Sequence, residues 1–446
     1  MSILKQVLSE AWSSVARKPA AQARPAQITE PRPPAGASVT PNREASKPGM
    51  KVVILNWKAG ENDPFTTFNN AIRQHLEACG KNVEVIEITE DNWPAKLVSV
   101  QPIEFAFTWQ GLGSAVKFRD TGESLWDHLK IPLICVHGDH PSHMPLNHEL
   151  ESRYCFHLYT NADSARYSNR HFRRLRGASV IDIPQLHREI RLERRTGDYF
   201  VVAKNINDLA VTDRSWQERL PKPVFDAFMM AAESLKSRIT REFYVEIHDA
   251  LDELAVQHNF EWLSPQANPA GYHEYHSQLD HYLRSYKTVV AVTSLREFPL
   301  RIYGRGWDRI AQSAPAAHVF EPGRDMADSQ HLYYSRFGLV DISPSKALHD
   351  RTRRAMVNGG AFLSSANLED SFGDMSRFAP LFYSFKGSDL VDKCAAVARH
   401  PDHHLALCEE FARAYHARFH FRDFINRIDH LAKLAAPPAD PAMRTA

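Results

Sequence analysis

The stretch that decides the fold is FGLVDISPSKALHDRTRRAMVNGGAFLSSANLED, residues 337–370. The apolar residues that lead into Asp341 predict a strand, and the segment from Asp350 to Asn358 predicts a helix that Gly359-Gly360 ends. A short apolar run, Ala361 to Leu363, predicts the next strand. Strand, loop, helix and strand in this order are typical of a parallel sheet covered by helices.

The start of the predicted helix is a candidate anion site. Asp350 is suited to cap the helix, and Arg351 adds a fixed positive charge one residue later. Free backbone N–H groups at a helix N-terminus, next to a guanidinium, bind a phosphate or a diphosphate. We assign Ser345 and His349, before the helix, and Gly360, after it, to the same candidate site.

A second candidate is the sequence GRGW, residues 304–307, which follows a predicted strand. Gly304 and Gly306 would let the backbone approach a ligand while Arg305 neutralises phosphate charge, although two glycines after a strand also make an ordinary tight turn. Lys204, after the strand YFVVA, either contacts a diphosphate or is an ordinary strand-end lysine. GxGxxG and GxxxxGK[ST] motifs are absent, which disfavours NAD-type redox chemistry and P-loop hydrolysis.

These motifs carry a family resemblance. The pattern HDRxxxAMxxGG at 349–360, with a short apolar strand after it and GRGW upstream, resembles bacterial glycosyltransferases of the spore-maturation (CgeB-like) type over about residues 198–434. The resemblance implies an α/β fold with two doubly wound, Rossmann-like domains that face a cleft, the GT-B architecture. Many retaining relatives have a Glu three residues after the position of Arg351, where this chain has Arg354, so the stereochemical course stays open.

The resemblance also implies an activity. The enzyme would transfer a hexosyl or N-acetylhexosaminyl group from a nucleotide diphosphate sugar, with UDP as the expected nucleotide, to a glycan, protein or small-molecule acceptor in bacterial glycan or glycoprotein biosynthesis. We expect no metal and no cofactor besides the donor substrate. Glu369 is assigned to the hydroxyls of the donor sugar. A nucleotide-sugar epimerase of the same fold, a non-catalytic nucleotide-sugar-binding module and a scaffold remain alternatives.

Candidate catalytic residues lie in CVHGDHPSH, residues 135–143, after a predicted strand. A sugar hydroxyl needs a general base near neutral pH, which fits His140, or Asp139 alone or orienting His140. Some members of the family have a similar DHP triplet. The histidines also suggest a metal site or a hydrogen-bonded turn. We expect no metal here, since no cysteine ligand is expected beside them and Pro141 argues against a helix that would align the rings.

Composition excludes other classes of partner. The 446 residues carry 54 Lys and Arg against 53 Asp and Glu, so no global charge attracts nucleic acid. The five cysteines form no CxxC pair, and reduced thiols in a cytoplasmic protein are expected. No apolar run is long enough to span a membrane, and the N-terminus lacks the apolar core of a signal peptide. Peripheral contact with the inner membrane remains an alternative.

The chain divides into five predicted parts. Residues 1–17 have the apolar spacing of an amphipathic helix, which docks on its own protein, on a partner protein or on a membrane surface. Residues 18–49 are rich in Pro and Ala and are expected to be a flexible linker. Alternating strands and helices predict a first domain, the acceptor domain, over 50–195 and a nucleotide-sugar-binding domain with a helical insertion over 196–434. Residues 435–446 are expected to be disordered.

Four local predictions concern helices in the second domain. Helical spacing predicts that SYKTVVAVTSL (285–295) is a helix despite its β-branched residues, and that REFYVEIHDALDELAVQ (241–257) is helical throughout. A further helix is expected over HLYYSR (331–336). By resemblance alone, the helix from Phe419 to Leu431 crosses back to the first domain.

Overall fold

The computed structural model describes residues 49–57, 64–118, 120–149, 152–172, 178–184, 197–242, 244–260, 269–321, 334–343 and 345–435. The predicted N-terminal helix, the linker up to residue 48 and the tail from residue 436 lie outside these residues.

The first domain is built on a six-stranded parallel sheet with strand order β2-β1-β3-β4-β5-β6. Most of its central strands are continuous apolar runs, as expected where helices cover both faces. The strands are β1 (Lys51–Asn56), β2 (Asn82–Glu87), β3 (Ile103–Trp109), β4 (Leu133–His137), β5 (Cys155–Tyr159) and β6 (Ala178–Val180). Its helices are α1 (Pro64–Ala78), α2 (Trp93–Ser99), α3 (Leu125–Leu129) and α4 (Ala162–His171).

The second domain has a five-stranded parallel sheet with strand order β11-β10-β7-β8-β9. Its strands are β7 (Phe200–Ala203), β8 (Leu300–Tyr303), β9 (His318–Glu321), β10 (Gly338–Asp341) and β11 (Phe362–Ser364). Both strand orders are those of doubly wound α/β folds. The predicted fold class is confirmed, and the two sheets lie on either side of residue 196, although the exact domain boundaries stay predictions.

The helices of the second half begin with the insertion between β7 and β8: α5 (Leu209–Arg219), α6 (Lys222–Arg241), α7 (Ile247–Gln257) and α8 (Pro269–Ser294). The others are α9 (Asp308–Ala311), α10 (Asp350–Val357), α11 (Glu369–Phe372), α12 (Asp389–Arg399), α13 (Pro401–Arg418) and α14 (Phe421–Ala435). Residues 337–370 therefore fold as predicted into a strand, a helix and a strand, namely β10, α10 and β11.

The helix prediction for residues 285–295 is confirmed up to Ser294, because they form the last part of α8. Leu279 and Tyr282 of this helix pack within the helical insertion, whereas Ala291 and Val292 pack on the second sheet. Burial on two sides therefore outweighs the weak helix propensity of the β-branched residues.

Two other helix predictions hold only in part or fail over the described residues. The chain leaves α6 after Arg241 and starts α7 only at Ile247, where the Glu246 side chain accepts a hydrogen bond from the Asp249 N–H and caps the new helix. In HLYYSR, the described residues 334–336 are not helical.

The last helix, α14, belongs to the core of the first domain. Phe421, Phe424 and Ile428 pack with the apolar side chains of the first sheet. Asp429 lies 3.0 Å from the Lys81 ammonium, which also contacts Glu104 at 2.6 Å. The crossing helix expected from the family resemblance is therefore present, and it packs on the first domain.

Candidate functional site

Lys204 lies at the point where the second sheet reverses its strand order. Strands β7 and β10 are neighbours there although two other strands of the sheet, β8 and β9, separate them in sequence. Doubly wound sheets bind ligands beyond the carboxyl ends of such strands. Lys204 directly follows β7, and its Nζ donates a hydrogen bond of 2.9 Å to the carbonyl oxygen of Ile342, which directly follows β10. The predicted lysine is therefore at the crevice.

Four basic side chains lie close together at this end of β7 and β10: Lys204, Arg284, Lys287 and Arg351. They are called here the cation cluster. Burial lowers the pKa of Lys204 well below its usual value, and the charges of Arg351, Arg284 and Lys287 lower it further, while Asp341 acts in the opposite direction. Burial and the charge of Arg284 also lower the pKa of Lys287. These side chains repel one another and favour an anion between them.

Arg351 is held by a buried carboxylate. Its Nε donates to Oδ1 of Asp341 over 3.2 Å, and Thr352 Oγ1 donates to Oδ2 of the same carboxylate over 2.9 Å. The Asp341 side chain is fully buried, and that of Arg351 is 14% exposed. Because this contact uses one of five N–H donors of the guanidinium, the site has donors left for a ligand.

The capping prediction for α10 is wrong by one residue. His349 occupies the N-cap position, and its Nδ1 lies 3.3 Å from the Arg351 amide nitrogen and 2.7 Å from Asp350 Oδ1. Nδ1 can accept a hydrogen bond from the Arg351 N–H when it carries no proton, or donate one to Asp350 when it does, but not both at once. Asp350 is the first helical residue. Burial would raise its pKa, but His349, Arg354 and Arg351 hold that pKa well below the usual value.

The glycines of the GRGW loop approach the protein's own backbone. A Cβ at Gly304 would lie 2.4 Å from the Lys204 carbonyl oxygen, and one at Gly306 would lie 1.9 Å from that of Ile206. Trp307 Nε1 also donates to the Lys204 carbonyl over 2.9 Å. These contacts favour the tight-turn interpretation, in which the loop positions Lys204, while Arg305 is exposed beside it.

The other predicted donor-site residues are more scattered. The Ser345 carbonyl accepts from Ser343 Oγ at 2.8 Å in the loop before α10. Gly360 follows the C-terminus of α10, about 12 Å from its start at 1.5 Å per residue, so the structure does not bring it to Arg351. Glu369 is exposed at the start of α11, where its N–H donates to Asn367 Oδ1 over 3.1 Å.

The two predicted catalytic residues follow β4 of the first domain. Asp139 accepts a hydrogen bond of 2.8 Å from Gln110 Nε2 and is half-buried. His140 Nδ1 lies 2.8 Å from Ser142 Oγ and 3.2 Å from Nε2 of His248, and burial holds the His140 pKa well below its usual value. His140 is thus a neutral, packed side chain, and Asp139 is the better-placed base.

Three site residues were not found by sequence reasoning, and all lie on α8. Asp280, Arg284 and Lys287 are spaced i, i+4 and i+7, which puts them on one face of the helix. Asp280 accepts from Arg284 at 2.6 Å and lies 2.8 Å from Nε2 of His143 in the first domain. The sequence shows only their helical spacing, which is also that of an ordinary solvated face, and the structure shows that Asp280 and Lys287 are buried.

Glu246 is a fourth residue that sequence reasoning missed. Burial and the negative charges of Asp163 and Asp249 raise its pKa to about 7, against the hydrogen bond from the Asp249 N–H. A carboxyl that titrates near neutral pH is suited to general acid–base work. Tyr244, two residues earlier, donates to Asp163 of the first domain over 3.1 Å, so this segment lies at the meeting of the two domains.

The cavity beside the cation cluster is small. Lys287, Ser343, Ser365 and Tyr383 contribute to its wall, and its volume is about 20 Å³, enough for about one water molecule. Sites for drug-sized ligands usually measure several hundred Å³. This cavity by itself is therefore too small to hold a nucleotide.

A different group of side chains lies under the first sheet's carboxyl edge. Cys135, His137 and His157 are buried, and their ligand atoms all lie within 4.8 Å of one another. His137 is thus grouped with Cys135, two residues earlier, and not with His140 and His143. The expectation that no cysteine ligand lies beside these histidines is wrong.

Comparisons with known proteins found a distant structural similarity and no match by sequence. No family model and no curated protein matches the chain. Among solved structures, the T4 phage beta-glucosyltransferase is similar, with a TM-score of 0.44 and 10% identity over 87% of this chain and 100% of that one. A likeness this distant carries no argument about chemistry, and the resemblance to the spore-maturation family stays a prediction. In the described part of the chain, no helix combines the length and apolarity needed to cross a membrane.

Proposed function

We propose that this protein is a glycosyltransferase of the GT-B type that moves a sugar from a nucleotide diphosphate sugar to a glycan, protein or small-molecule acceptor. UDP is the proposed nucleotide, and a hexosyl or N-acetylhexosaminyl group the proposed cargo. The observation that carries the proposal is the cation cluster at the strand-order reversal of the second sheet.

The charges there fit a diphosphate. Lys204 and Lys287 supply compact charges, whereas Arg284 and Arg351 supply planar donors suited to phosphate oxygens. The carboxylates among them, Asp280 and Asp341, already pair with the two arginines. In sugar transfer, negative charge builds on the departing diphosphate, and fixed cations that are already in place stabilise it without a metal ion.

The acceptor is assigned to the first domain. Asp139, held by Gln110 at the carboxyl edge of the first sheet, would take the proton of the attacking hydroxyl. Glu246, at the meeting of the domains, is a second proton acceptor near pH 7. Because the cavity beside Lys287 is small, donor binding would first open the cleft, as lids do in many transferases.

The test is calorimetry with UDP, GDP and their sugars on the full chain, with Lys204→Met and Lys287→Met as variants. Each loses a charge-assisted contact, so we expect nucleotide affinity to fall roughly 10- to 100-fold. Lys222→Met is the matched control, since Lys222 is 83% exposed and pairs with Asp226 at the surface.

Unchanged affinity in both folded variants would remove the cation cluster from the donor site. Product analysis then separates the alternatives: an epimerase converts the donor with no acceptor present, and a binding module neither transfers nor hydrolyses it.

A further inference from the structure

We propose that Cys135, His137 and His157 form a buried binding site for a zinc-type divalent metal ion, separate from the sugar-transfer site. One thiolate and two imidazoles are ligands that zinc prefers, and with three protein ligands the fourth position is open to water or another side chain. The site would be structural, so it leaves the transfer step free of metal.

The fold, rather than the sequence, assembles these ligands. Cys135 and His137 are two residues apart on β4 and therefore project from the same face of the sheet. Cys135 pairs with His157 of β5 in the parallel register, so all three side chains meet on that face. Their relative exposures are 0%, 2% and 3%, which leaves the group sealed from bulk water.

Two more polar side chains, His148 and Tyr159, lie against the His137 ring. The His148 ring lies 4.4 Å from the His137 ring, and its Nδ1 lies 2.7 Å from the Tyr159 hydroxyl. This contact orients His148 as second-shell partners orient the ligands of metal sites. His148 is the nearest further imidazole for the fourth position.

Without an ion, the two histidine ligands form a hydrogen bond with each other. His137 Nε2 and His157 Nδ1 are 2.9 Å apart, a hydrogen bond between neutral rings. Two nitrogens on a tetrahedral zinc, with bonds of about 2.05 Å, lie about 3.3 Å apart, so an ion needs a separation larger by about 0.4 Å. Metal binding would also release the Cys135 proton and move the single proton between the two rings to the outer nitrogen of its own ring.

The metal site lies directly before the loop that carries Asp139, which indicates a structural role for the ion. Residues 138–143, which include Asp139, begin directly after His137. An ion that joins β4 to β5 would fix the base of this loop and stabilise the first domain by linkage.

The test uses the full chain after chelator treatment, titrated with Co²⁺ and with Zn²⁺. We expect one ion per chain, a thiolate-to-cobalt charge-transfer band, and a rise in melting temperature with Zn²⁺. Cys135→Ser should lose the band and the melting shift. Cys155→Ser is the matched control, because Cys155 is also buried and packs in the same apolar cluster as Cys135 but is not one of the three ligands.

Circular dichroism checks that both variants fold, and His157→Gln provides a second loss-of-ligand variant. The proposal is overturned by wild-type protein that takes up no stoichiometric ion or shows no thiolate band, or by an unchanged titration in Cys135→Ser.

Discussion

The carboxyl edges of the two sheets have the same architecture and opposite electrostatics. At the second sheet, the cation cluster is only partly neutralised by Asp280 and Asp341. The edge of the first sheet carries half-buried Asp139 and His140. The His140 ring stacks on neutral imidazoles of the helical insertion, with ring centres 3.7 Å apart between His140 and His248 on α7 and 3.9 Å apart between His248 and His276 on α8; these three rings are called here the histidine stack. The difference favours an anionic donor on one side and, on the other, a neutral hydroxyl whose proton Asp139 can accept.

The largest effect expected from this comparison is on turnover. Asp139→Asn keeps the hydrogen bond with Gln110 but removes the proton acceptor, so we expect the transfer rate to fall roughly 100- to 10,000-fold with donor affinity unchanged. Kinetics with saturating donor, together with calorimetry, checks both parts. His140→Ala should likewise leave nucleotide affinity intact. If either variant weakened nucleotide binding as Lys204→Met does, the division of labour between the domains would be wrong.

The next effect is on stability. Asp341→Asn removes the buried partner of Arg351, and we expect a loss of about 3–5 kcal/mol in the free energy of unfolding. Urea denaturation measures it, with Asp402→Asn as the control: Asp402 also pairs with an arginine, Arg336, but is 84% exposed. The control should change stability by less than about 1 kcal/mol. Equal losses in the two variants would contradict the anchoring role of Asp341.

The glycine loop supplies a matched pair with a smaller effect. Gly306 and Gly373 both have φ of +88°, but a Cβ meets the Ile206 carbonyl at 1.9 Å in the first case and nothing within 4 Å in the second. Alanine at either position carries backbone strain of about 1–2 kcal/mol, and Gly306→Ala adds the clash. We therefore expect a lower melting temperature for Gly306→Ala than for Gly373→Ala, together with weaker nucleotide binding, because the loop positions Lys204.

The histidine stack predicts that the free energy of unfolding depends on pH below neutrality. Burial lowers the pKa values of His140, His248 and His276 well below 6.5, so below that pH the unfolded chain binds more protons than the folded one. The contribution of these histidines to stability is therefore flat above about pH 7.5 and falls as pH drops through 6.5, by up to about 1.4 kcal/mol per pH unit for each histidine. Glu246, whose pKa is raised to about 7, acts in the opposite direction between about pH 4.5 and 7, and three histidines outweigh one carboxyl.

Denaturation between pH 7.5 and 5 checks this dependence. Near the stack, the charge of Asp280 raises the pKa of His140 and the charge of Arg284 lowers it. Asp280 stays ionised over this range, because Arg284 and His143 hold its pKa well below the usual value against the effect of burial. His248→Phe should flatten the slope; a slope identical to wild type would mean that the stack does not titrate in this window.

The sequence by itself determined the elements whose signals are local. Strands at β1, β7 and β10 and the helix α10 follow from apolar runs and helix-ending glycines, so they appeared where predicted. The family resemblance added the crossing of α14 onto the first domain, which periodicity alone does not indicate. Lys204, His349, Asp350 and Arg351 were predicted as site residues because they directly follow a strand or lie at the start of a helix, and such positions meet at one edge of a parallel sheet.

Only the tertiary structure decided which distant side chains meet. Asp280, Arg284 and Lys287 read as an ordinary helical face until α8 is placed between the domains. Cys135 and His157 become neighbours through the parallel register of β4 and β5, which no local pattern specifies. The physical reason is the same in both cases: helix and strand signals act over a few residues, whereas contacts between elements depend on packing and register across the whole chain.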